Sequence, residues 1–253
     1  MLKITKPAEV REGFHGLLYG KPKTGKTSTA DDPNLKVLIA DMEGGTAVLS
    51  DAKNVDRVAI ENFEQFREFT EVVQRGFIEK QGDFAYDLIV IDSISRLQEL
   101  VKEYVAKVYA PSRKREIQGK FGAMADWGDL RDLLLSAVKA WHSITKRGEK
   151  SVHVMWIAHE GTVKDEMTEK AIATKIQLQG KDTADIVMAH VDGIFYMFNK
   201  TNEEGELLRG VLTSNHGIYQ AGVRQPKGRE PLPIIIYNPI WSDIFDKIGY
   251  KRG

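Results

Sequence analysis

The chain has 253 residues, with 36 Lys and Arg against 36 Asp and Glu, and it contains no cysteine. The length suits one α/β domain with a sizeable core. Because the charges balance, any contact with nucleic acid must come from local clusters of cations. The absence of cysteine excludes disulfides, zinc–thiolate sites and cysteine nucleophiles, and it favours a reducing cytosol. With no signal core and no apolar run of about 18 residues, we expect a cytoplasmic protein without membrane contact.

A phosphate-binding pattern follows the first predicted strand, at residues 14–19, and precedes a predicted helix start at 27–30. It matches G-x-x-x-x-G-K-[ST] at every constrained position, through Gly20, Lys21, Pro22, Lys23, Thr24, Gly25, Lys26 and Thr27, with Ser28 next. In such a P-loop, backbone N–H groups surround a polyphosphate, the lysine reaches the β- and γ-phosphates, and the hydroxyl holds Mg²⁺. The pattern therefore predicts an ATP site at residues 20–28.

Acidic residues end the next buried strand, predicted at 36–41. In open α/β sheets, ligands bind at the carboxyl ends of the strands. We expect Glu43 to polarise the water that attacks the γ-phosphate. The alternative is that Asp41 or Glu43 only caps the turn before Gly44 and Gly45.

A second strand that ends in an acid follows a predicted short strand at 57–60 and a helix from residue 62. Residues 86–91 are mostly apolar and lead to Asp92. This order after a P-loop is typical of a Walker B element, in which the aspartate binds Mg²⁺ through water. Thr27 and Asp92 are thus the predicted metal residues.

A basic segment follows the next predicted helix, which ends near Pro111. Residues 111–122 show no helical or strand period and carry Arg113, Lys114, Arg115, Lys120 and the aromatic Phe121. A loop of this kind can track a nucleic-acid backbone and stack a base. A solvated charged loop and a kinase-like lid over phosphates are the alternatives.

The second half of the chain predicts a long helix at 124–146 and then a buried strand at 151–158, which ends at His159. At that position a histidine could report nucleotide state to the following segment, 161–182, which is polar and predicts a second mobile loop. Strands at 193–198 and 207–212 predict an antiparallel hairpin. Near the sheet edge, Arg224 could stabilise a γ-phosphate, in cis or from a neighbouring subunit.

The assembled motifs resemble the core of RecA/RadA-type ATPases: residues 20–27, the strand ending at 41–45, the strand at 88–93 and the strand at 154–160. The compact phage-encoded form of that core, associated with single-strand annealing and recombination, is similar over roughly residues 13 to 236. The resemblance implies one RecA-like P-loop NTPase domain over 1–253, with a mostly parallel central sheet flanked by helices and an antiparallel C-terminal hairpin. Residues 1–12 are then an N-terminal extension. The helical spacing of Trp241, Ile244, Phe245 and Ile248 after Pro239 predicts a C-terminal helix at 239–253.

The same resemblance implies a function. It implies an ATPase that uses ATP and Mg²⁺, binds single-stranded DNA and promotes annealing or recombination in a host cytoplasm. Its expected partners are single-stranded DNA, a single-strand-binding protein and further copies of the chain on DNA. Glu43 matches the catalytic glutamate, Asp92 the Walker B aspartate and His159 the polar sensor. The segments 111–122 and 161–182 match the two DNA-binding loops.

Three departures from that family pattern stand in the sequence. His159 and Glu160 replace an Asn-Gln pair, Gly222 replaces the lysine of a Lys-x-Arg pair that ends at Arg224, and only about a dozen residues precede the core. Two other functions stay open: a small-molecule kinase with residues 111–122 as its lid, and a nucleotide-gated interaction module with little hydrolysis.

Overall fold

A computed structural model describes residues 13–80, 83–109, 124–146, 150–180 and 182–250. Its strands are β1 (His15–Gly20), β2 (Val37–Asp41), β3 (Val55–Ala59), β4 (Leu88–Asp92), β5 (His153–Lys164), β6 (Ala171–Ile176), β7 (Gly193–Thr201), β8 (Leu207–Leu212), β9 (Gly222–Val223) and β10 (Ile235–Tyr237). Its α-helices are α1 (Phe63–Lys80), α2 (Ile94–Tyr104), α3 (Met124–Thr145), α4 (Thr183–Ala189) and α5 (Trp241–Ile248). Short 3₁₀ turns cover Thr27–Ala30 and Gly45–Leu49, and a π-helical turn, Val105–Tyr109, extends α2.

The strands form one sheet in the order β10-β8-β7-β1-β5-β4-β2-β3. The run from β7 to β3 is parallel, whereas β8 and β10 join antiparallel at one edge. The predicted hairpin therefore forms, between β7 and β8. This mixed α/β architecture, with a large and mostly parallel sheet, is consistent with a P-loop NTPase fold.

Helices cover both faces of the sheet, which explains why the central strands are apolar on both sides. On β1, Leu17 and Tyr19 pack on the face covered by α1 to α4. Leu18 points to the opposite face, where Trp241 and Phe245 of α5 lie. The alternation of side chains along each strand thus supplies two separate cores.

The register of the parallel strands aligns the ends that matter for function. Gly20 pairs with His159 across β1 and β5, and Asp41 pairs with Asp92 across β2 and β4. Because parallel strands share a direction, the P-loop, Asp92 and His159 all reach the same edge of the sheet.

The helix start predicted after the P-loop is a single 3₁₀ turn, Thr27–Ala30. Directly after this turn, the buried carboxylate of Asp32 fixes the path of the chain. It accepts the N–H of Asn34 at 2.9 Å and the N–H of Ser242, in α5, at 2.8 Å. The chain turns at residues 33–34 and enters β2 at Val37, so the helical turn is not continued.

The second predicted loop, 161–182, is wrong at residues 161–164 and 171–176, which are strand. Strand β5 continues to Lys164 and pairs antiparallel with β6. Asp165 closes the turn between them by accepting the N–H groups of Met167 and Thr168. Residues 171–176 read Ala-Ile-Ala-Thr-Lys-Ile, without the strict apolar–polar alternation of a half-buried strand, so the sequence gives only a weak signal for β6.

Several predictions fall on parts of the chain that the structure does not describe. They are the N-terminal extension at 1–12 and the basic segment with Arg113, Lys114, Arg115, Lys120 and Phe121. The C-terminal helix is shorter than the predicted 239–253 range and spans Trp241–Ile248. Within the described ranges, no helix combines the length and the hydropathy of a membrane-spanning segment.

Candidate functional site

The P-loop folds around the side chain of its lysine. Lys26 Nζ donates to the carbonyl oxygens of Gly20, at 3.0 Å, and Lys21, at 2.8 Å. Burial lowers the pKa of Lys26, and the nearby carboxylates of Asp92, Glu43 and Glu160 oppose that shift. Gly25 has a φ of +93°, a conformation that favours glycine over residues with a Cβ. The loop therefore carries a buried cation next to a turn of exposed backbone.

Thr27 and Asp92 place two oxygens side by side at the end of the loop. Thr27 Oγ1 donates to Asp92 Oδ2 at 2.6 Å. Burial is the main cause that raises the pKa of Asp92, to about 6, and the charges of Glu43 and Asp41 add to it. A hydroxyl and a carboxylate are the ligands that Mg²⁺ takes when phosphates complete its shell. These donors fit Mg²⁺, and among the described residues no cluster of three or more His, Cys, Asp or Glu offers an all-protein metal site.

Glu43 lies across the cavity from the P-loop, held by two partners. Its Oε1 is 2.9 Å from His159 Nε2, and Ser93 Oγ donates to the same oxygen. The hydrogen bond from His159 is the largest cause that lowers the pKa of Glu43, and the same bond raises the pKa of His159. Glu43 is therefore an ionised carboxylate at neutral pH with a fixed orientation.

Asp41 is engaged in the turn that carries Glu43. Its Oδ1 accepts the N–H groups of Glu43, at 3.2 Å, and Gly44, at 2.7 Å. Its Oδ2 accepts the hydroxyl of Thr46 at 2.6 Å and lies 3.5 Å from Nη1 of Arg57. With its oxygens bound in this way, Asp41 shapes the turn, whereas Glu43 faces the open space.

These groups line one cavity of about 430 Å³. Its lining is Pro22, Lys23, Gly25, Lys26, Thr27, Ser28, Glu43, Gly45, Val48, Asp92, His159 and Arg209. A second cavity, of about 500 Å³, adjoins it and shares Glu43 and His159; its other lining residues are Met42, Ser95, Arg96, Gln98, Glu99, Gln177 and Gln179. Glu43 and His159 thus line both the P-loop cavity and the polar one.

A family model described as an AAA domain matches residues 12–225, most of the chain and all of the cavity described above. The chain belongs to this AAA domain family. A search of curated proteins found no match to the chain. Membership indicates a P-loop ATPase-type domain, which binds nucleotide and typically uses Mg²⁺.

The structure brings most of the predicted site residues of the AAA domain together. Lys26, Thr27, Glu43, Asp92 and His159 all line the cavity. Of the predicted P-loop residues, Pro22, Lys23, Gly25 and Ser28 line it as well, while Gly20 and Lys21 bind Lys26 through their carbonyl groups. Thr24 turns inward and donates to Lys21 O at 2.9 Å.

Arg224 lies elsewhere in the AAA domain. Its guanidinium contacts Asp192 Oδ1 at 3.3 Å and the Ala189 carbonyl at 3.4 Å. Because Val223 of β9 pairs with Gly193, the first residue of β7, Arg224 lies at the amino end of the sheet. The predicted cis contact with a γ-phosphate is therefore not supported, and a contact from a neighbouring subunit stays a prediction.

Sequence reasoning missed two residues of this site. Ser93 orients Glu43 and also caps α2 by accepting the N–H of Arg96 at 3.1 Å; the serine before a predicted helix was a usable signal. Arg209 reaches the P-loop from β8. No sequence signal gives this second contact, because it depends on the order of strands in the sheet.

Proposed function

We propose that this AAA domain is a RecA-like ATPase, of the compact phage-encoded kind, that binds single-stranded DNA and uses ATP to promote annealing or recombination. The observation that carries the ATPase part is the convergence of Lys26, Thr27, Asp92 and Glu43 on one cavity. The resemblance of the motifs carries the DNA part, together with the cations in residues 111–122.

The residues of the site divide the work of hydrolysis. Lys26 moves from the loop carbonyls to the phosphates and stabilises the charge that develops there. Thr27 and Asp92 would hold Mg²⁺, which would neutralise phosphate charge. Glu43 accepts a proton from the attacking water, and His159 and Ser93 keep its carboxylate ionised and oriented.

A chain of hydrogen bonds links this site to α2. The N–H of His159 donates to Ser95 Oγ at 3.1 Å, and Ser95 Oγ donates to the carbonyl of Gln177 at 3.3 Å. The side chain of Gln98 then bonds both backbone groups of Gln179. In the sequence, α2 lies between Ser93 and the basic segment 111–122, so we propose that nucleotide state at Glu43 and His159 acts on that segment through α2. This link supports coupling between nucleotide state and DNA binding.

The first experiment measures ATP hydrolysis with and without single-stranded DNA. We expect DNA to change the rate, because the proposed coupling joins the two sites. A rate that single strands leave unchanged, from a protein that also fails to retain them, would remove the DNA part of the proposal.

The second experiment neutralises Arg113, Lys114, Arg115 and Lys120 together. For single strands, log affinity falls against log salt with a slope of about −0.7 per neutralised phosphate, so losing four contacts should reduce the slope by roughly 3. Phe121→Ala serves as the matched variant: if the ring stacks a base, it costs about 1–3 kcal/mol of affinity and leaves the slope unchanged. Basal hydrolysis should survive both changes.

The adjoining polar cavity favours one alternative, a small-molecule kinase. An acceptor bound there would lie beside Glu43, which could then take the proton of an acceptor hydroxyl instead of water. A kinase should hydrolyse little ATP alone and transfer the phosphoryl group to an added acceptor. If the neutralised variant loses ATP affinity while its salt slope for DNA is unchanged, residues 111–122 act as a phosphate lid and the kinase moves ahead.

A further inference from the structure

Acidic side chains lie on one side of the P-loop, and an arginine lies on the other side. Strand β4, which ends at Asp92, lies two strands from β1 in one direction. Strand β8, which carries Arg209, lies two strands from β1 in the other direction. The loop that leaves β1 is therefore flanked by the carboxylates on one side and by a single arginine on the other.

The side chain of Arg209 lies directly against the P-loop backbone. A Cβ added at Gly25 would be 2.6 Å from Arg209 Nε, 3.0 Å from Cδ and 3.1 Å from Cζ. With glycine at that position, the guanidinium has room to lie on the loop as it does here. Arg209 also lines the same cavity as Lys26 and Thr27.

The backbone of β8 fixes the position from which Arg209 reaches the loop. Asn238 N–H donates to the carbonyl of Arg209 at 2.6 Å, and Asn238 Oδ1 accepts the N–H of Arg209 at 3.4 Å. The cross-strand partner of Arg209 is Asn199 of β7. With its amide oriented to satisfy its hydrogen bonds, Asn199 donates to the carbonyl of Thr24 at 3.0 Å. The β7–β8 hairpin is thus tied to the P-loop at two points.

The charge of Arg209 is not used within the described part of the chain. Arg57 pairs with Asp41, Arg96 with Glu99 and Arg224 with Asp192. Across the described ranges, no carboxylate lies within 4.0 Å of the Arg209 guanidinium. A planar cation with five donors, laid on a phosphate-binding loop, matches phosphate oxygens.

We propose that Arg209 is a nucleotide-binding residue supplied in cis, which contacts the polyphosphate on the side of the loop away from Asp92 and Glu43. This inference rests on the proposed ATP site and adds a contact to it. The hydrolytic groups stand on the other side, so Arg209 binds the phosphates that ATP and ADP share. Arg209 therefore sets nucleotide affinity and leaves the chemical step to Glu43.

The test measures Kd for ATP and for ADP, with Mg²⁺, in Arg209→Ala and Arg209→Lys. Loss of a charge-assisted hydrogen bond corresponds to roughly tenfold to a hundredfold weaker binding, and we expect this loss for both nucleotides in the alanine variant. The lysine variant should fall between, because it keeps the charge and loses the planar donors. The readout that assigns the role is the split between the two constants: nucleotide affinity should change more than turnover at saturating ATP, since the hydrolytic groups are untouched.

Lys200→Ala is the matched control. Lys200 is an exposed cation on β7, adjacent to Asn199 and therefore on the opposite face of the hairpin. It should bind both nucleotides like the wild type, and the thermal unfolding midpoints of all three variants should agree.

Two results would overturn the inference while leaving the ATP site intact. One is unchanged affinity for both nucleotides in Arg209→Ala. The other is weaker binding of ATP with unchanged binding of ADP, which would assign Arg209 to the terminal phosphate. A wild-type protein that binds neither nucleotide would instead overturn the proposed function itself, and this inference with it.

Discussion

The two ends of strand β1 carry two polar clusters of opposite character. At the carboxyl end, Lys26, Asp92, Glu43 and His159 line an open cavity. At the amino end, His15 is fully buried, and the groups around it bind one another. Its Nε2 accepts the indole N–H of Trp156 at 2.7 Å.

The amino-end cluster closes on Asp192. The N–H of His15 donates to Asp192 Oδ2 at 3.2 Å, and the carboxylate also pairs with Lys146, at 3.7 Å, and Arg224, at 3.3 Å. Burial is the main cause that lowers the pKa of His15, to about 3, so this ring is neutral at neutral pH. At the other end, Glu43 raises the pKa of His159.

The difference lies in what satisfies each polar group. At the amino end the partners are protein atoms, so the cluster holds the fold. At the carboxyl end the groups also face space that a ligand can fill, so they are available for chemistry. The role of a charged residue near a sheet edge, such as Arg224, therefore depends on whether the residue lies at the amino or the carboxyl ends of the strands.

The largest expected effect comes from removing the cation of the carboxyl-end cluster. Lys26→Ala should weaken ATP binding by at least about a hundredfold, because it removes the charge-assisted contacts to the phosphates. Isothermal titration gives the affinity, and thermal unfolding should show a retained fold. Lys53→Ala, at an exposed lysine away from the cavity, is the control. Full hydrolysis by Lys26→Ala would contradict the P-loop assignment.

The next effect separates binding from chemistry in the same cluster. Glu43→Gln keeps the size and loses the base, so hydrolysis should fall about a hundredfold or more while nucleotide affinity persists. Asp41→Asn is the companion variant, and it should lower the free energy of unfolding by about 1–3 kcal/mol because it disturbs buried hydrogen bonds in the turn. If Asp41→Asn abolishes hydrolysis and Glu43→Gln hydrolyses normally, Asp41 is the base.

The third prediction concerns the amino-end cluster around His15 and Asp192. Asp192→Ala should lower the free energy of unfolding by about 1–3 kcal/mol, because the buried N–H of His15 loses its acceptor, and nucleotide affinity should not change. Arg224→Ala should cost less than about 1 kcal/mol, as its side chain is largely exposed. Denaturant unfolding and nucleotide titration check both variants.

Arg224→Ala also tests the predicted role in a neighbouring subunit. Without such a role, basal hydrolysis should match the wild type at every protein concentration. Lost hydrolysis that returns on mixing with Lys26→Ala protein would establish a contact between subunits, because each variant supplies what the other lacks.

The smallest effect concerns the His159–Glu43 pair and pH. His159 lowers the pKa of Glu43, so His159→Gln should raise it, and the acidic limb of the hydrolysis profile should move to higher pH. The pair also stabilises the fold. The stability that the raised pKa of His159 contributes is fully present below the ordinary histidine pKa of 6.5 and is lost as pH rises through the raised pKa. The stability that the lowered pKa of Glu43 contributes is fully present above the ordinary pKa of 4.5 and is lost as pH falls through the lowered pKa. An unmoved acidic limb would mean that another group controls it.

The sequence predicts the parts of this molecule that depend on local patterns. The P-loop is a continuous motif, and the buried strand before Asp92 is a continuous apolar run, so both positions can be read directly. The shared edge of Asp92 and His159 follows from the parallel direction of their strands.

The parts that the sequence does not predict depend on strand order and pairing. Arg209 reaches the loop because β8 lies two strands from β1, and Arg224 is carried away because β9 pairs with the first residues of β7. The sequence predicts the β7–β8 hairpin, but neither the place of β7 beside β1 nor the pairing of β9 with β7 leaves a trace in nearby residues. Similarly, the full use of the oxygens of Asp41 depends on Thr46 and Arg57, which only the folded turn brings together.

The hydrogen bonds of the Asp32 carboxylate limit how far this chain can be truncated from its C-terminus. The AAA family match ends at residue 225, yet Asp32, just beyond the P-loop, accepts the N–H of Ser242 in α5. The same helix covers Phe14 and Phe195 with Trp241 and Phe245. A truncated chain ending at the family boundary would remove the donor to Oδ2 of this buried carboxylate, leaving only the Asn34 N–H on Oδ1, and would expose an aromatic face. The minimal foldable unit therefore extends beyond the family boundary and includes the C-terminal helix.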